Sequence, residues 1–293
     1  MIVVKLMGGL GNQMFQYAAG RRLSQVSGVP LKLALDWFDT PSAESTPRHY
    51  SLHPYNIRED FATCRGPGRY ASSTLRRLAG FVPRLFPFGG VHLREKHYHF
   101  DPSILTPRRR VYLDGYWQSE KYFCDIRDII CSEFTVRETA QGRNLALLEQ
   151  LSPNDFTSVA LHVRRGDYVA DPAASRVHGA CSSDYYADAV RLVAAQTTAP
   201  HFFIFSDDPE WVRSNLAIDH PCTIVDCNGD DAAHEDLRLM SMCRHHIIAN
   251  STFSWWGAWL CRHPEKLVIA PKRWFAGASH DTRDVVPASW VRI

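Results

Sequence analysis

No apolar run in the 293-residue sequence approaches the roughly 20 residues needed to cross a bilayer. The opening stretch, MIVVKLMGGLGNQMFQYAAG, lacks the charged start and long apolar core of a signal peptide, so a cytoplasmic protein is expected. The eight cysteines (Cys64, Cys124, Cys131, Cys181, Cys222, Cys227, Cys243 and Cys261) contain no C-x-x-C pair, which predicts free thiols rather than a disulfide framework. Zinc motifs are missing too: there is no H-E-x-x-H, and His245 and His246 are adjacent. Charge of either sign is nearly balanced, 33 Lys and Arg against 31 Asp and Glu, for a formal +2. Nothing draws the whole chain to nucleic acid or to a membrane, so any anion site has to be local. The standard nucleotide loops are also absent. GGLGNQ carries glycines at 8, 9 and 11, but Met14 stands where G-x-G-x-x-G needs its third, and no Gly-Lys-Ser/Thr follows.

What is present is an α/β pattern. Residues 2–6 form an apolar, β-branched run that Gly8, Gly9 and Gly11 break; Asn12 can cap a helix through about residue 27, Gly28 can stop it, and 31–35 reads as the next strand. Strand, loop, helix and strand together start a parallel sheet. From about 41 to 110 no period persists. Prolines and glycines recur, basic residues cluster at Arg76-Arg77 and Arg108-Arg109-Arg110, and short helices and loops are expected. Beyond a joint near 142–155, apolar runs at 159–163, 202–205, 223–225, 246–249 and 267–270 alternate with helix-length segments near 183–197, 209–216, 233–244 and 251–261. The prediction is two Rossmann-like α/β domains facing across a cleft, residues 1–150 and 151–293, with the last helix free to pack back on the N-terminal domain.

Strands of the second half end in polar residues. VALHV runs into RRGDY, FFIF into SDDP, TIVD into CNGDD and HIIAN into STFSWWGAW. One polar strand end is an ordinary turn; four on the carboxyl edge of one parallel sheet would line a common crevice. Alternation puts His162 and Arg164 on one side of their strand and Arg165 on the other, one guanidinium for the crevice and one for the turn. Arginine's planar, permanently charged fork suits phosphate, the bland alternative being salt bridges to Asp167 alone. Asn250, Ser251, Thr252, Phe253 and Ser254 sit where a strand hands over to a helix, so hydroxyls and free N–H groups gather at the positive end of a helix dipole. Simple capping by Ser251 or Thr252 would account for one hydroxyl. Trp255, Trp256 and Trp259 have the spacing of core residues. Asp207 and Asp208 could hold Mg²⁺ or cap the helix after Pro209; with arginine and a helix N-terminus at hand a metal is unnecessary, and hydrogen bonding to a ribose or base is expected. Asn12 and Gln13 offer amides to neutral hydroxyls, which suits a sugar better than a phosphate.

Four stretches, MGGLGNQMFQYA, LHVRRGDY, FSDDPEWV and NSTFSWWGAWL, together resemble the bacterial α-1,2-fucosyltransferases of glycosyltransferase family 11, and they span nearly the whole chain. The HxRRGD segment is also similar to that of α-1,6- and protein O-fucosyltransferases. The resemblance implies a GT-B-like pair of domains, GDP-fucose as donor, inversion at the fucose carbon, and no metal or other cofactor. It implies transfer to the 2-hydroxyl of a galactose-terminated oligosaccharide in a glycan or surface polysaccharide, with peripheral contact at the inner membrane through glycolipid acceptors. Carried onto this sequence, it makes Arg164 the arginine on the donor diphosphate, with Arg165 in support and His162 near the nucleoside. Asp207 or Asp208 falls at the guanosine, Ser251, Thr252, Phe253 and Ser254 at phosphate, and Asn12 near the fucose and acceptor. For the catalytic base the choice is open: Asp167 in the motif, Asp36 at the end of the second strand, or no side chain at all. A carboxylate facing guanidinium groups is a poor proton acceptor, which weighs against Asp167.

Two other classes compete. An NAD(P)-dependent oxidoreductase would need the missing third glycine, although Asp36 is suitably placed for a ribose. A non-catalytic glycan-binding module draws only on the basic runs at 76–77 and 108–110, which are more often solvated faces.

Overall fold

The computed structural model describes residues 1–39, 48–62, 90–151, 155–277 and 280–293. Arg76-Arg77, Cys64 and much of the irregular 41–110 stretch lie outside the described residues. The chain divides into two compact units, Met1–Phe134 with Arg283–Val285, and Thr135–Thr282 with Val286–Ile293.

The first unit holds a parallel sheet of β1 (Ile2–Lys5), β2 (Leu31–Ala34), β3 (Val91–Arg94) and β4 (Val111–Asp114), ordered β2-β1-β4-β3. Helix α1 (Leu10–Ser27) follows β1 and ends at Gly28, whose φ of 60° is the left-handed conformation expected of a glycine stop. Asn12 does not cap this helix. The chain turns into it directly after the extended Gly9, with no side-chain cap, so Asn12 lies in the first turn and its carboxamide is used elsewhere. Strands β3 and β4 fall where only loops and short helices were expected or just beyond; each is four residues long, and Val91 at the head of β3 is exposed. Helix α2 (Arg127–Glu133) closes the unit.

The second unit begins earlier than residue 151. Helix α3 (Gly142–Leu151) occupies most of the expected joint, and its Leu147 packs with Leu239, Met240 and Cys243 around helix α8 (Ala233–Met242). Burial of that apolar face is what places 135–150 with the second unit. The strands are β5 (Thr157–Val163), β6 (Pro200–Ser206), β7 (Cys222–Val225), β8 (His245–Ile247), β9 (Val268–Ala270) and β10 (Val291–Arg292), all parallel and ordered β10-β9-β8-β5-β6-β7. Between them run α4 (Gly166–Ala170), α5 (Pro172–Val177), α6 (Ser183–Ala194), α7 (Pro209–Asn215) and α9 (Thr252–Leu260). The expected strands and helices of this half are present; α4, α5 and β10 were not expected. Strand β5 is flanked by β6 on one side and β8 on the other, so the chain reverses its direction of travel across the sheet at the β5/β8 junction. In open parallel sheets the crevice for ligands opens at the carboxyl ends of the strands at such a switch point.

Helix α9 is apolar nearly all round and accordingly buried, as its sequence TFSWWGAWL requires. Trp255, Trp256 and Trp259 are core residues. Lys266 donates to the carbonyls of Ala258, Trp259 and Cys261, satisfying groups that the helix end leaves open. The described cysteines are free, and among the described residues no helix is long and apolar enough to cross a membrane.

Candidate functional site

Strand β5 stops at Val163, so its period-two alternation lapses at the two arginines. Both turn toward the end of β6. Arg164 donates to Asp167 at 2.7 Å and pairs with Asp207 at 3.0 Å. The backbone N–H of Arg165 donates to the other oxygen of Asp207 at 2.8 Å, and its side chain pairs with Asp208 at 3.4 Å while lying over the Trp211 ring. Asp208 caps α7 by accepting from Trp211 N–H, with Pro209 at the first helical position. Gly166 is required between them: a Cβ there would come within 2.6 Å of Asp207 Oδ2. Burial opposes charge on Arg164, but Asp207 and Asp167 outweigh it and hold its pKa above the usual arginine value.

Across the switch point stands the start of α9. Leu161 pairs with Ile247, and continuing that register brings Val163 level with Ala249. Ser251 caps the helix by accepting from Phe253 N–H, and Ser254 donates back to the Ser251 carbonyl. The preceding Asn250 is a hub. Its Nδ2 donates to the carbonyls of His178, Gly179 and Trp274, its Oδ1 accepts from Cys181, and its own carbonyl accepts from Tyr168 Oη at 3.2 Å. Tyr168 thereby ties the arginine side of the crevice to the helix side, because Arg164 also lies over its ring, 5.5 Å from the centroid.

His162 is buried on β5, with its ring 5.6 Å from that of Phe253. Burial, assisted by Arg164, pulls its pKa down to about 3, so the imidazole is neutral at physiological pH. Its Nδ1 has no hydrogen-bond partner among the described residues. No group of three or more His, Cys, Asp or Glu able to hold a metal ion occurs among the described residues.

The first unit has a switch point of its own, at β1 and β4. There Gln118 Nε2 donates to Asn12 Oδ1 at 3.0 Å. The turn carrying Gln118 is tightly built: Trp117 has a φ of 57°, Glu95 accepts from the N–H groups of Tyr116 and Trp117, and a Cβ on Gly115 would collide with Glu95. Gln13 is spent on the backbone of Gly8, His49 and Ser51, so of the two amides expected for sugar hydroxyls only Asn12 stands at the junction. Asp36 is also in this unit, whereas Asp167 belongs to the second.

The structure thus gathers Arg164, Arg165, Asp167, Asp207 and Asp208 into one ion-pair cluster and sets Ser251, Thr252, Phe253 and Ser254 at the adjoining strand end. Tyr168, His178, Trp211 and Gln118 join these sites without having been assigned a part from sequence, and Asn250, at the head of the expected anion segment, is the hub between Tyr168 and His178. Tyr168 and Trp211 lie inside the stretches LHVRRGDY and FSDDPEWV, which was the available signal for them, whereas His178 and Gln118 lie in none of the four stretches.

The profile of the family described as "Glycosyl transferase family 11" matches residues 92–293. The chain belongs to this family. As a family 11 glycosyltransferase it is 32% identical over 300 residues to the α-1,2-colitosyltransferase of Escherichia coli, covering 100% of this chain and 98% of that protein. It is 27% identical to galactoside α-(1,2)-fucosyltransferase 2 of Oryctolagus cuniculus, over 89% of this chain and 67% of that one. Among solved structures it is similar in fold to the NodZ α-1,6-fucosyltransferase soaked with GDP-fucose, with a TM-score of 0.51 at 13% identity over 88% of this chain and 91% of NodZ. The fold is that of the GT-B-type fucosyltransferases, an α/β chain built on two parallel sheets. Family membership removes the oxidoreductase and the non-catalytic module as readings of this chain.

Proposed function

We propose that the enzyme transfers L-fucose from GDP-β-L-fucose, with inversion, to the 2-hydroxyl of a terminal galactoside, forming an α-1,2 linkage. The observation that carries this reading is the pairing, at one switch point, of an arginine locked by two carboxylates with the capped N-terminus of a buried helix. Both features are fixed before any ligand arrives and both favour negative charge. When the bond between the sugar carbon and the diphosphate breaks, the electron pair stays on the diphosphate, so a preorganised cation and N–H groups there lower the barrier. The acceptor oxygen attacks the opposite face of the sugar, and its proton leaves to a carboxylate or to solvent. In this reading Arg164 and the Ser251, Thr252, Phe253 and Ser254 segment hold the diphosphate. Arg165 braces Asp208, while His162 and Asp208 face the nucleoside. Asn12, presented by Gln118, meets hydroxyls of the acceptor. Positive charge from protein groups serves where another transferase would use a metal.

The galactoside fucosyltransferase supports fucose and a galactoside acceptor. The higher identity to the colitosyltransferase supports the α-1,2 linkage and favours a second donor, since colitose is fucose without its 3-hydroxyl. Acceptors carried on lipid would bring the enzyme to the inner face of a membrane. Incubation with GDP-fucose and, separately, GDP-colitose over a panel of β-galactosides, followed by linkage analysis, tests the proposal. An α-1,2-fucosyl product supports it. Product from GDP-colitose alone transfers the reading to the second donor, and turnover of UDP-sugars in place of both sinks it.

A further inference from the structure

We infer that His178 is a third ligand of the donor diphosphate, acting beside Arg164 and the N-terminus of α9. The inference rests on the reading of this crevice as the donor site and adds to it a residue outside every motif. Charge in the cluster is the first reason. The two guanidinium groups of Arg164 and Arg165 face the three carboxylates of Asp167, Asp207 and Asp208, so two positive charges against three negative ones leave a formal −1. A helix N-terminus contributes only about half a positive charge. A site meant for a diphosphate therefore needs one more group that can be cationic.

His178 is the neighbour that fits. Its imidazole stacks on the Tyr168 ring, centroids 4.7 Å apart and planes within 4°, and Arg164 lies over that same ring. Its main-chain oxygen is held at 2.9 Å by Asn250, whose next residue caps α9. The ring is thus registered against the arginine side of the site and the main chain that carries it against the start of α9. Gly179, at φ 64°, ends α5 immediately after it, and Ala276 N–H donates to the Val177 carbonyl, so the loop is fixed from both sides. Nδ1 of His178 is buried and has no hydrogen-bond partner among the described residues. A ring that served only to stack on Tyr168 could be phenylalanine, at no cost for an unsatisfied nitrogen. Burial holds the free imidazole's pKa below the ordinary histidine value, with Arg164 acting in the same sense and Asp167 against it. An arriving diphosphate reverses the balance and favours the protonated ring.

The test compares His178→Phe, which keeps the stack, with His178→Gln, which keeps an N–H donor, by calorimetric titration with GDP and with guanosine. Loss of a charge-assisted hydrogen bond predicts GDP binding weakened by about 10- to 100-fold in the Phe variant and by less in the Gln variant. Guanosine, which has no phosphate, should bind all three proteins alike. GDP affinity in the Phe variant equal to wild type would overturn the inference, as would an equal loss for guanosine, which would mark a general distortion. Wild-type protein that binds UDP or ADP in place of GDP refutes the donor reading separately. The same comparison with that nucleotide still decides the role of His178, loss supporting it and no loss overturning it.

Discussion

The guanidinium carbon of Arg165 lies 4.0 Å from the centroid of the Trp211 ring, close enough for a cation–π contact. That contact, with the bond to Asp208, spends Arg165 on the β6–α7 turn, whereas Arg164 directs its fork at the two aspartates lining the crevice. The two arginines should therefore fail differently. Arg164→Lys keeps a charge but loses the bidentate fork, and kcat should fall by about two orders of magnitude or more, the scale of a lost oxyanion donor. Arg165→Lys should act mainly on stability and donor affinity. Kinetics and melting curves on both variants check this, and a near-normal Arg164→Lys beside a dead Arg165→Lys would reverse the roles.

Gly166→Ala places a methyl group 2.6 Å from Asp207 Oδ2, with Asp207 held by Arg164 on one side and the Arg165 N–H on the other. Asp207 must yield, and Arg164 moves with it. Overpacking of this kind costs about 1–3 kcal/mol of stability. GDP affinity should drop in parallel. A crystal structure or titration showing Asp207 in place and affinity unchanged would remove Gly166 from the account.

Much of the second unit was legible because its signals are local. Ser182, Asp208 and Ser251 each cap a helix with their own side chains, and β5 and β6 are seven-residue strands that carry the apolar runs 159–163 and 202–205. The first unit was harder: VHLR and VYLD are too short to show a period, and α1 starts from Gly9 without any capping side chain. Residues inside contiguous motifs, Arg164, Asp167 and Ser251 among them, could be named in advance. What joins them could not. Asp207 reaches the Arg165 N–H across 42 residues and Asn250 holds His178 across 72, and no spacing rule links partners brought together only by the order of strands.

Activity should persist in excess EDTA. Asp207 accepts from Arg164 and the Arg165 N–H, and Asp208 from the Trp211 N–H and Arg165, so both carboxylates are engaged by positive or N–H groups rather than clustered on one another. Arg164, His178 and the start of α9 would then carry the charge on the leaving group. Activity abolished by chelation and restored by Mg²⁺ or Mn²⁺ would contradict this directly.

Acid should destabilise the fold from mildly acidic pH. Burial, with nearby cations adding to it, holds His162 at about 3, His245 at about 4 and His246 well below the ordinary 6.5. The unfolded chain then binds protons first, so stability is full above about 6.5 and falls as pH drops, each group contributing up to about 1.4 kcal/mol per pH unit in its window. Asp236 opposes them: burial raises its carboxyl to about 6, a contribution present below 3.8 and lost as pH rises through 6. Glu95 is raised in the same sense. His178, His201 and His234 are lowered by burial as well, so six histidines against two carboxyls leave a net loss on acidification, and Tm should fall steadily from pH 6.5 to 5. A flat or rising Tm across that interval would be incompatible with neutral, buried histidines.

Asp167 offers the sharpest choice between structure and chemistry. Its Oδ1 accepts from Arg164 at 2.7 Å, and Arg164 is in turn set by Asp207, so the carboxylate is part of the frame that aims the guanidinium. If framing is its role, Asp167→Asn weakens the grip on Arg164, and GDP affinity, Tm and kcat fall together. A general base behaves otherwise, because it acts only in the transition state: kcat collapses while ground-state binding is kept. The arrangement favours framing, since Oδ1 of Asp167 is already committed to a guanidinium group that Asp207 fixes from the other side. All three quantities should be measured on one preparation of Asp167→Asn. Unchanged affinity and melting with kcat lower by about 1,000-fold, within the range for general bases, would instead make Asp167 the group that takes the acceptor's proton.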